Sequence, residues 1–303
     1  MPIFSIKDTE LIRIKEIPIK KEIQVQKLVE SNLKQLFNLQ FVRSEFILGA
    51  LRIDTLAFDE INKSFVIIEY KKDRNLSVVD QGYAYLALLL NNKADFILEY
   101  NERLKKNLKR DDVDWSQSRV FFISPEFTKH QKGAMNFNDL PFELWEVSIL
   151  ENGMIAFNQV KSPESSESIT TVSSTSETVK KVSKEIKVYS ENDLLVKSTE
   201  EIRSLYEDLK NRIMALGEVE MVPVKHYIGF KNNTNFVDVT PQKNALWIWM
   251  NVQKGELDDP KGMARDVSDI GHWGNGDYDL HIQPDTDLDY VMLLIKSAYQ
   301  RQL

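Results

Sequence analysis

Residues 51–71 read LRIDTLAFDEINKSFVIIEYK, and this stretch decides the fold of the first half of the chain. Two runs, 51–58 and 65–71, are rich in apolar, β-branched and aromatic residues, as β-strands are. The polar segment 59–64 between them is typical of a turn. The stretch therefore predicts a β-hairpin.

The register of that hairpin brings three charged residues together. If the turn is centred on Ile61-Asn62, Asp54 lies opposite Glu69. Side chains alternate faces along a strand, so Lys71 shares the face of Glu69. Facing Cβ atoms in such a pair are about 5 Å apart. The arithmetic predicts one cluster of Asp54, Glu69 and Lys71.

Two carboxylates that face each other among apolar neighbours repel each other and lose hydration, so they need a cation. A divalent metal ion meets this need. It can also bridge phosphate oxygens and lower the pKa of water, with Lys71 placed to orient the water or steady the phosphate. A structural ion pair of Asp54 or Glu69 with Lys71 is the alternative, and the hairpin alone leaves both open.

The segment after the hairpin adds a second motif. Ser77, with Asp80 three residues later, is typical of a helix N-terminus, and the apolar run that follows predicts a helix to about residue 90. Gln81 and Tyr85 are four residues apart and therefore share one face of that helix. This face can be directed back at the end of the Glu69 strand.

Together these residues resemble the PD-(D/E)XK nuclease superfamily, in particular its branch with a Q-x-x-x-Y helix. The resemblance covers residues 22–100. One difference is that Ile53, not proline, precedes the aspartate of the motif. The matching residues are Asp54, Glu69-Tyr70-Lys71 and Gln81-Gly82-Tyr83-Ala84-Tyr85.

The resemblance implies a role for each matching residue. Asp54, Glu69 and the carbonyl of Tyr70 are expected to bind Mg²⁺ or Mn²⁺, and Lys71 to serve catalysis. The Gln81 and Tyr85 pair is expected to contact the site and nucleic acid. A glutamate of the first helix, for which Glu30 is the best match, is expected as a further metal ligand and catalytic residue. Glu45 is a weaker acidic candidate.

Composition limits the other kinds of metal site. The 303 residues include no cysteine, which excludes disulfides and thiolate ligands. The four histidines (His130, His226, His272 and His281) lack the close spacing of a zinc site. Carboxylate-held Mg²⁺ or Mn²⁺ is the remaining expectation.

The net charge of −7 and the pI near 5.3 are unfavourable for binding nucleic acid, although the local charge around a site matters more than the total. Residues 101–110 form a charged run that is expected to be helical. This run either contacts nucleic acid or is simply a solvated helix face. No apolar run is long enough to span a membrane and no secretory signal begins the chain, so a cytoplasmic protein is expected. Candidate basic contacts are Arg103, Lys105, Lys106, Lys109, Arg110, Lys71, Lys72 and Arg74.

The chain is expected to fold as two α/β (α+β) domains. Residues 161–185, rich in Ser, Thr, Glu and Lys, predict a flexible linker between a domain at 1–160 and a second at 186–303. The first is expected to contain a mixed sheet, in the restriction-endonuclease-like form that the resemblance implies. Its predicted elements are a helix over 20–37, strands over 41–48, 51–58 and 65–71, a helix over 77–90, and strands over 95–100 and 119–124.

The second domain has fewer chemical signals. Trp247 and Trp249 share a strand face that could stack bases, or could simply be packed. His272, with Asp266, Asp269 or Asp277, is a candidate second polar site. Predicted elements are a helix over 199–216, strands over 225–230, 236–241, 246–252 and 279–283, and a helix over 287–301 capped by Asp285 or Thr286.

The sequence predicts a metal-dependent nuclease that hydrolyses DNA, or alternatively RNA, in bacterial defence or repair. The competing hypothesis is a non-catalytic module that keeps the fold and binds nucleic acid or protein. The whole chain also resembles bacterial proteins in which a nuclease-like half is fused to a second domain of unknown function. Some of those carry a transport label, which the absence of a membrane-spanning segment does not support. The oligomeric state stays open, with a homodimer as one option.

Overall fold

The computed structural model divides into two compact units, Met1–Val188 and Tyr189–Leu303. No helix among the described residues is both long and apolar enough to cross a membrane. The structure describes residues 3–49, 51–71, 77–135, 137, 140–161, 176–232, 234–270 and 274–302.

The first unit contains most of the predicted elements. In chain order they are β1 (Ile3–Lys7), β2 (Glu10–Ile14), β3 (Glu16–Ile17), α1 (Glu22–Glu30), α2 (Leu33–Phe37), β4 (Gln40–Leu48), β5 (Leu51–Asp59), β6 (Ser64–Tyr70), α3 (Val78–Asn91), α4 (Lys93–Leu104), β7 (Arg119–Ser124), α5 (Lys129–Ala134), β8 (Phe142–Leu150), β9 (Ile155–Val160) and α6 (Glu177–Glu185).

A mixed sheet forms the centre of this unit, which confirms the predicted fold class. The strand order among the described residues is β3-β8-β7-β6-β5-β4, with β9 paired to β8. Neighbours β4, β5 and β6 are antiparallel, whereas β6, β7 and β8 run parallel. Residues of α3 and α4 contribute to one buried cluster and residues of α1 and α2 to another. Since alternate residues of β6 contribute to each cluster, the sheet is covered on both faces, as its fully buried central strand requires.

The hairpin register is confirmed. Thr55 pairs with Ile68 and Asp59 with Ser64, which centres the turn between Ile61 and Asn62. The Asp59 carboxylate closes the turn by accepting hydrogen bonds from the backbone N–H groups of Ile61 and Asn62.

The strand predicted over residues 95–100 is wrong, because this segment lies within helix α4. Its buried residues are Phe96 and Tyr100, which are four positions apart and so lie on one helical face. The short apolar run did not distinguish a strand from a buried helix. The first predicted helix is also divided, because residues 31 and 32 separate α1 from α2.

The prediction of a flexible linker up to residue 185 is wrong for α6. Val182 is 1% exposed and Ile186 is 6% exposed, and both belong to the buried cluster that contains residues of α3. Helix α6 is capped by Ser176, whose hydroxyl accepts a hydrogen bond from the Val179 amide. Val179 and Val182 within the helix, and Ile186 directly after it, provide the apolar stripe that the polar composition concealed.

The second unit packs helices against an antiparallel sheet. The described strand order is β10-β11-β12-β13-β15-β14, and residues of α8 and α9 belong to the core. The last helix is capped by Asp287, the residue before its first, instead of by Asp285 or Thr286. The elements are α7 (Glu191–Leu195), α8 (Glu200–Met214), β10 (Glu220–Pro223), β11 (Ile228–Lys231), β12 (Asn235–Pro241), β13 (Leu246–Met250), β14 (Arg265–Asp266), β15 (Tyr278–Ile282) and α9 (Leu288–Gln300).

Helix α3 approaches β8 closely at a glycine, and a methyl group there is expected to destabilise the first unit. A Cβ on Gly82 would lie 2.5 Å from the Cε1 atom of Phe142, a ring that is only 4% exposed and has little room to move. Gly82→Ala should therefore lower the free energy of unfolding by about 1–3 kcal/mol, the usual cost of overpacking.

Gly133→Ala is the matched control for this substitution. Gly133 also lies within a helix, but its Cβ would meet no atom within 4 Å. Urea unfolding should show this variant unchanged or slightly more stable, since alanine favours a helix. Equal stabilities for the two variants would contradict the close packing of α3 on β8.

Candidate active site

Asp54 lies where strands β5 and β6 stop pairing. Their ladder ends at Thr55 and Ile68, one pair short of Asp54 and Glu69. Instead of a backbone carbonyl, the Oδ2 atom of Asp54 accepts the hydrogen bond of the Tyr70 amide at 3.1 Å. One carboxylate oxygen is thus fixed by the backbone. Among the described residues none donates a hydrogen bond to the other, Oδ1.

Glu69, only 6% exposed, is held by three side chains. Its Oε1 atom accepts hydrogen bonds from Lys71 Nζ at 2.8 Å and from Gln81 Nε2 at 3.1 Å. Its Oε2 atom accepts one from the Tyr85 hydroxyl at 2.8 Å. The structure therefore brings Lys71, Gln81 and Tyr85 to one carboxylate, as the hairpin register and the helix spacing predicted.

Two elements fix the orientation of these donors. The backbone N–H of Lys71 donates to the carbonyl of Ile123 on the parallel strand β7 at 2.8 Å, which places Lys71 just beyond the last pair of β6 and β7. Helix α3 begins at the predicted cap, Ser77, whose hydroxyl accepts from the amide of Asp80. Gln81 follows in the first turns of this helix, so the cap helps to place it.

The charges of the site are not balanced. Burial, and then the negative charge of Glu69, raise the pKa of Asp54 from 3.8 to about 6, although the Tyr70 amide and Lys71 oppose this shift. Burial also raises the pKa of the Tyr85 hydroxyl, with the neighbouring Glu69 charge as the next cause. Tyr85 therefore remains a neutral donor at physiological pH.

Within the described part of the chain, one buried acceptor of the site has no hydrogen-bond partner. Gln81 uses its amide nitrogen to bind Glu69 and the Tyr85 hydroxyl, but none of the described residues donates to its buried Oε1 atom. A buried polar atom of this kind has a cost unless a water or ligand satisfies it. Gln81 Oε1 is thus available to accept a hydrogen bond from a molecule in the site.

The donor set fits a hard divalent cation. Mg²⁺ is commonly held by one or two carboxylates together with waters and substrate oxygens, and Asp54 and Glu69 provide two such carboxylates. The raised pKa of Asp54 is the electrostatic deficit that a nearby cation relieves. No group of three or more Asp, Glu, His or Cys side chains suited to a metal ion occurs within the described part of the chain.

Glu30 is the predicted residue that the structure does not bring to this pair. Its Oε1 atom accepts hydrogen bonds from the Thr55 hydroxyl at 2.6 Å and from Gln26 Nε2 at 3.1 Å. Glu30 therefore does not form a three-carboxylate group with Asp54 and Glu69 in the structure, and its role as a ligand stays a prediction. Thr55 follows Asp54 in the chain, so its side chain points to the opposite face of the strand.

Gln26 is a residue of this region that the sequence reasoning missed. It is 4% exposed on α1, and its amide donates to the main-chain carbonyl of Asp54 at 3.0 Å. A polar residue at a buried position of an amphipathic helix is the signal that could have identified it, because Val25 and Val29 mark the buried face of that helix.

The expected basic patch is neutralised in part. Helix α4 ends at Leu104, so the charged run over 101–110 is not one helix. Arg103 binds Glu99 at 2.7 Å and Lys106 binds Glu60 at 2.7 Å. Lys72 and Arg74 lie outside the described residues. The patch around residues 103–110 therefore has fewer uncompensated cations than the sequence suggested.

In the second unit the paired tryptophans are mainly packed. Trp247 and Trp249 stack with ring centroids 4.8 Å apart, but Trp249 is only 2% exposed. The Trp247 indole N–H donates to Asp279 at 2.8 Å. This arrangement favours packing over a base-stacking surface.

The candidate polar site of the second unit is described only in part, since His272 lies outside the described residues. Asp277 accepts from the Lys254 amide at 2.8 Å, and Asp266 from the Ser268 amide at 2.9 Å. A different aspartate is buried there. Asp238 accepts from both the backbone and the side chain of Asn275, and burial raises its pKa from 3.8 to about 7.

The chain has a relative along its whole length. Over 299 residues it is 49% identical to an "Uncharacterized protein" of Haemophilus influenzae, and the alignment covers 98% of this chain and 99% of that protein. The chain belongs to the same family as this protein. Residues 191–302, within the second unit, match the family model described as "Domain of unknown function (DUF5655)".

Some solved structures share a distant likeness. An EndoMS complex with double-stranded DNA is 17% identical with a TM-score of 0.29, covering 45% of this chain and 50% of that one. A repair endonuclease from Pyrococcus abyssi is 15% identical with a TM-score of 0.24, covering 40% and 45%. SfsA from Pyrococcus furiosus with Ca²⁺ is 14% identical with a TM-score of 0.27, covering 54% and 76%. The chain spans about half the length of the first two, and with TM-scores this low the likenesses carry no argument about function.

Replacing Asp54 by a neutral amide is expected to stabilise the protein in a pH-dependent way. A carboxyl whose pKa is raised on folding binds its proton more tightly in the folded state, so it lowers stability as the pH rises from about 4 to about 6. Asp54→Asn should raise the free energy of unfolding by about 1–2 kcal/mol at pH 8, after allowance for partial exposure, and by little at pH 4.

Urea unfolding in EDTA over this pH range measures the effect, with Asp59→Asn as the control of opposite sign. Burial raises the pKa of Asp59, but the charge of Arg119 and hydrogen bonds from Asn62 outweigh it, so the pKa is lowered. Asp59→Asn should therefore destabilise the protein most at neutral pH. An Asp54→Asn variant that is less stable than the wild type at pH 8 contradicts the electrostatic account.

Proposed function

We propose that the first unit is a divalent-metal-dependent nuclease that hydrolyses phosphodiester bonds, with DNA as its expected substrate and RNA as the alternative. The observation that carries this proposal is the junction at the end of the β5–β6 ladder. There Asp54, with a pKa raised to about 6, lies beside Glu69, whose carboxylate is bound by Lys71 at 2.8 Å. Partly buried carboxylates next to a lysine supply the groups that phosphoryl transfer to water needs.

The carboxylates of Asp54 and Glu69 are the residues we propose to hold Mg²⁺ or Mn²⁺, with the carbonyl of Tyr70 as a further ligand carried over from the family resemblance. When bound, the metal would neutralise phosphate charge and acidify water. The Tyr70 amide fixes one oxygen of Asp54, so the carboxylate is oriented before any ligand arrives. Preorganisation of this kind removes a cost from the reaction itself.

Lys71 and the helix α3 pair are proposed to act on the water and the substrate. The Lys71 ammonium, 14% exposed in its side chain, can donate to a phosphate oxygen while remaining close to Glu69. Tyr85 and the Gln81 amide keep Glu69 in place, and Gln81 Oε1, which has no donor among the described residues, can accept a hydrogen bond from the attacking water. The residues thus divide into ligands, a phosphate donor and positioning groups.

A non-catalytic binding module is the second candidate, and one observation favours it. Each oxygen of Glu69 already has a donor from the protein, so this carboxylate can be satisfied without a metal ion. The net charge of −7 also argues against tight phosphate binding. Such a module binds its partner but does not cleave it, so an activity assay separates the two candidates.

The test is cleavage of plasmid DNA and of DNA and RNA oligonucleotides with Mg²⁺ or Mn²⁺, with EDTA as the metal-free condition. We expect wild-type cleavage that needs the metal and a loss of about 100-fold or more in Lys71→Ala and Asp54→Ala. Calorimetry should show Mn²⁺ binding that is lost in Asp54→Ala and largely kept in Lys71→Ala.

Lys132→Ala is the matched control for Lys71→Ala. Lys132 also binds a glutamate at 2.8 Å, in this case Glu146, but lies outside the proposed site. The Lys132→Ala variant should cleave like the wild type. Binding of nucleic acid without cleavage of any substrate, together with no Mn²⁺ binding, would favour the non-catalytic module.

A further inference from the structure

The buried side-chain amide of Gln26 lies near four oxygen atoms, one of which is the main-chain oxygen of Asp54. Gln26 is 4% exposed, and its Nε2 atom is 3.0 Å from the main-chain oxygen of Asp54. It is also 3.1 Å from Glu30 Oε1, 3.1 Å from Glu45 Oε1 and 3.2 Å from Ser44 Oγ. An amide nitrogen has two hydrogens, so these acceptors share them.

The Gln26 amide holds the backbone at Asp54, just beyond the end of the β5–β6 ladder. The ladder between β5 and β6 ends at Thr55 and Ile68, so the peptide that carries Asp54 lacks the next pair of that ladder. Two contacts replace it: Gln26 binds the Asp54 carbonyl, and the Tyr70 amide binds the Asp54 carboxylate. The direction of the Asp54 side chain therefore depends on both contacts.

The same amide restrains two negative charges close to the site. Glu45 has a positive φ of 53°, an uncommon and costly conformation for a residue with a side chain. The β4–β5 pairs on either side of it are Ser44 with Thr55 and Phe46 with Ile53, so Glu45 is also a point where regular pairing is interrupted. Arg52 binds the other oxygen of Glu45 at 3.0 Å.

Glu30 is restrained in a similar way by two donors. The Thr55 hydroxyl donates to its Oε1 atom at 2.6 Å, and Gln26 donates to the same atom. Without Gln26, the carboxylates of Glu30 and Glu45 would face each other with no donor between them. Like charges in a partly buried site repel, so they would move and take the Asp54 peptide with them.

We propose that Gln26 is a positioning residue of the active site. Its amide fixes the main chain at Asp54 and separates the two glutamates behind it, so that the Asp54 carboxylate keeps the orientation in which it can share a cation with Glu69. The inference rests on the proposed function, because the shared cation belongs to it. Gln26 itself touches neither substrate nor metal and acts through Asp54.

The experiment compares Gln26→Met with Gln24→Met in the full-length protein. Both substitutions replace a glutamine of α1 by an uncharged side chain of similar length, but Gln24 is exposed. The first measurement, hydrogen exchange of the Tyr70 amide by NMR without metal, needs no activity. We expect exchange about 10-fold faster in Gln26→Met than in wild type when normalised to the amides of residues 65–67, which respond to global unfolding.

The second measurement addresses function with Mn²⁺ alone and then with a DNA oligonucleotide. Partners that orient a metal ligand typically change affinity or activity about 10- to 100-fold, so Gln26→Met should weaken Mn²⁺ binding and lower kcat by that factor. KM for DNA should stay within about twofold, since Gln26 makes no substrate contact. Gln24→Met should leave all of these values at the wild-type level.

The outcomes separate the two hypotheses. Unchanged normalised exchange of the Tyr70 amide in Gln26→Met overturns the positioning role, whatever the activity. A wild-type protein that neither binds Mn²⁺ nor cleaves DNA overturns the proposed function, while the exchange data still decide whether Gln26 fixes Asp54. If Gln26→Met does not fold, Gln26→Asn is measured in its place. Asparagine keeps the amide but is one methylene shorter, so the amide no longer reaches the Asp54 carbonyl and the same changes are expected.

Discussion

The hydrogen bond from the Tyr70 amide to the Asp54 carboxylate replaces a backbone pair at the end of a buried hairpin. In an uninterrupted ladder the acceptor would be a neutral carbonyl, and the side chain of Asp54 would be free to turn toward solvent. Here the carboxylate completes the sheet and is therefore kept partly buried beside Glu69. Burial and the second charge then raise the pKa of Asp54 to about 6. The interrupted ladder is thus the origin of both the geometry and the electrostatic deficit of the site.

The rest of the first unit keeps this junction in place. Parallel pairing with β7 positions Glu69 and the Lys71 backbone. The close approach at Gly82 allows α3 to pack on Phe142, which places Gln81 and Tyr85 against Glu69. Helix α6 contributes Val182 to the same buried cluster as residues of α3. The packing of the unit therefore supports the helix that holds Glu69.

The sequence predicted those parts of the site that depend on local periodicity. Alternation along two strands and a short turn determined that Asp54 and Glu69 converge, and a four-residue spacing put Gln81 and Tyr85 on one face. It could not predict that the ladder ends one pair early, because that depends on the carboxylate competing with a carbonyl for the Tyr70 amide. The partners of Glu30 could not be predicted for a related reason. Its partners, Thr55 and Gln26, become neighbours only when α1 packs on the sheet.

The larger errors have a common physical origin. The apolar run at residues 95–100 is too short to distinguish a strand from a helix. The sequence of α6 is too polar to show which of its faces is buried. In α4 the buried pair Phe96 and Tyr100 identifies a helix only once the core that it contacts is known. The same holds for Val182 in α6 and for Ile186, which directly follows that helix. Tertiary burial, not intrinsic propensity, decides such segments.

The two carboxylates of the site differ in how completely the protein satisfies them, and this difference bears on how a cation would bind. Glu69 has donors on both oxygens, including the Lys71 ammonium, so its charge is largely compensated within the fold. Asp54 has one backbone donor on one oxygen, and its second oxygen has none among the described residues. A divalent ion would therefore gain most from Asp54, and Glu69 would have to exchange part of its contact with Lys71. That exchange would leave more of the Lys71 ammonium's hydrogens available for a phosphate oxygen. The ion pair between Lys71 and Glu69 is therefore expected both of a purely structural site and of the proposed metal site before a cation binds.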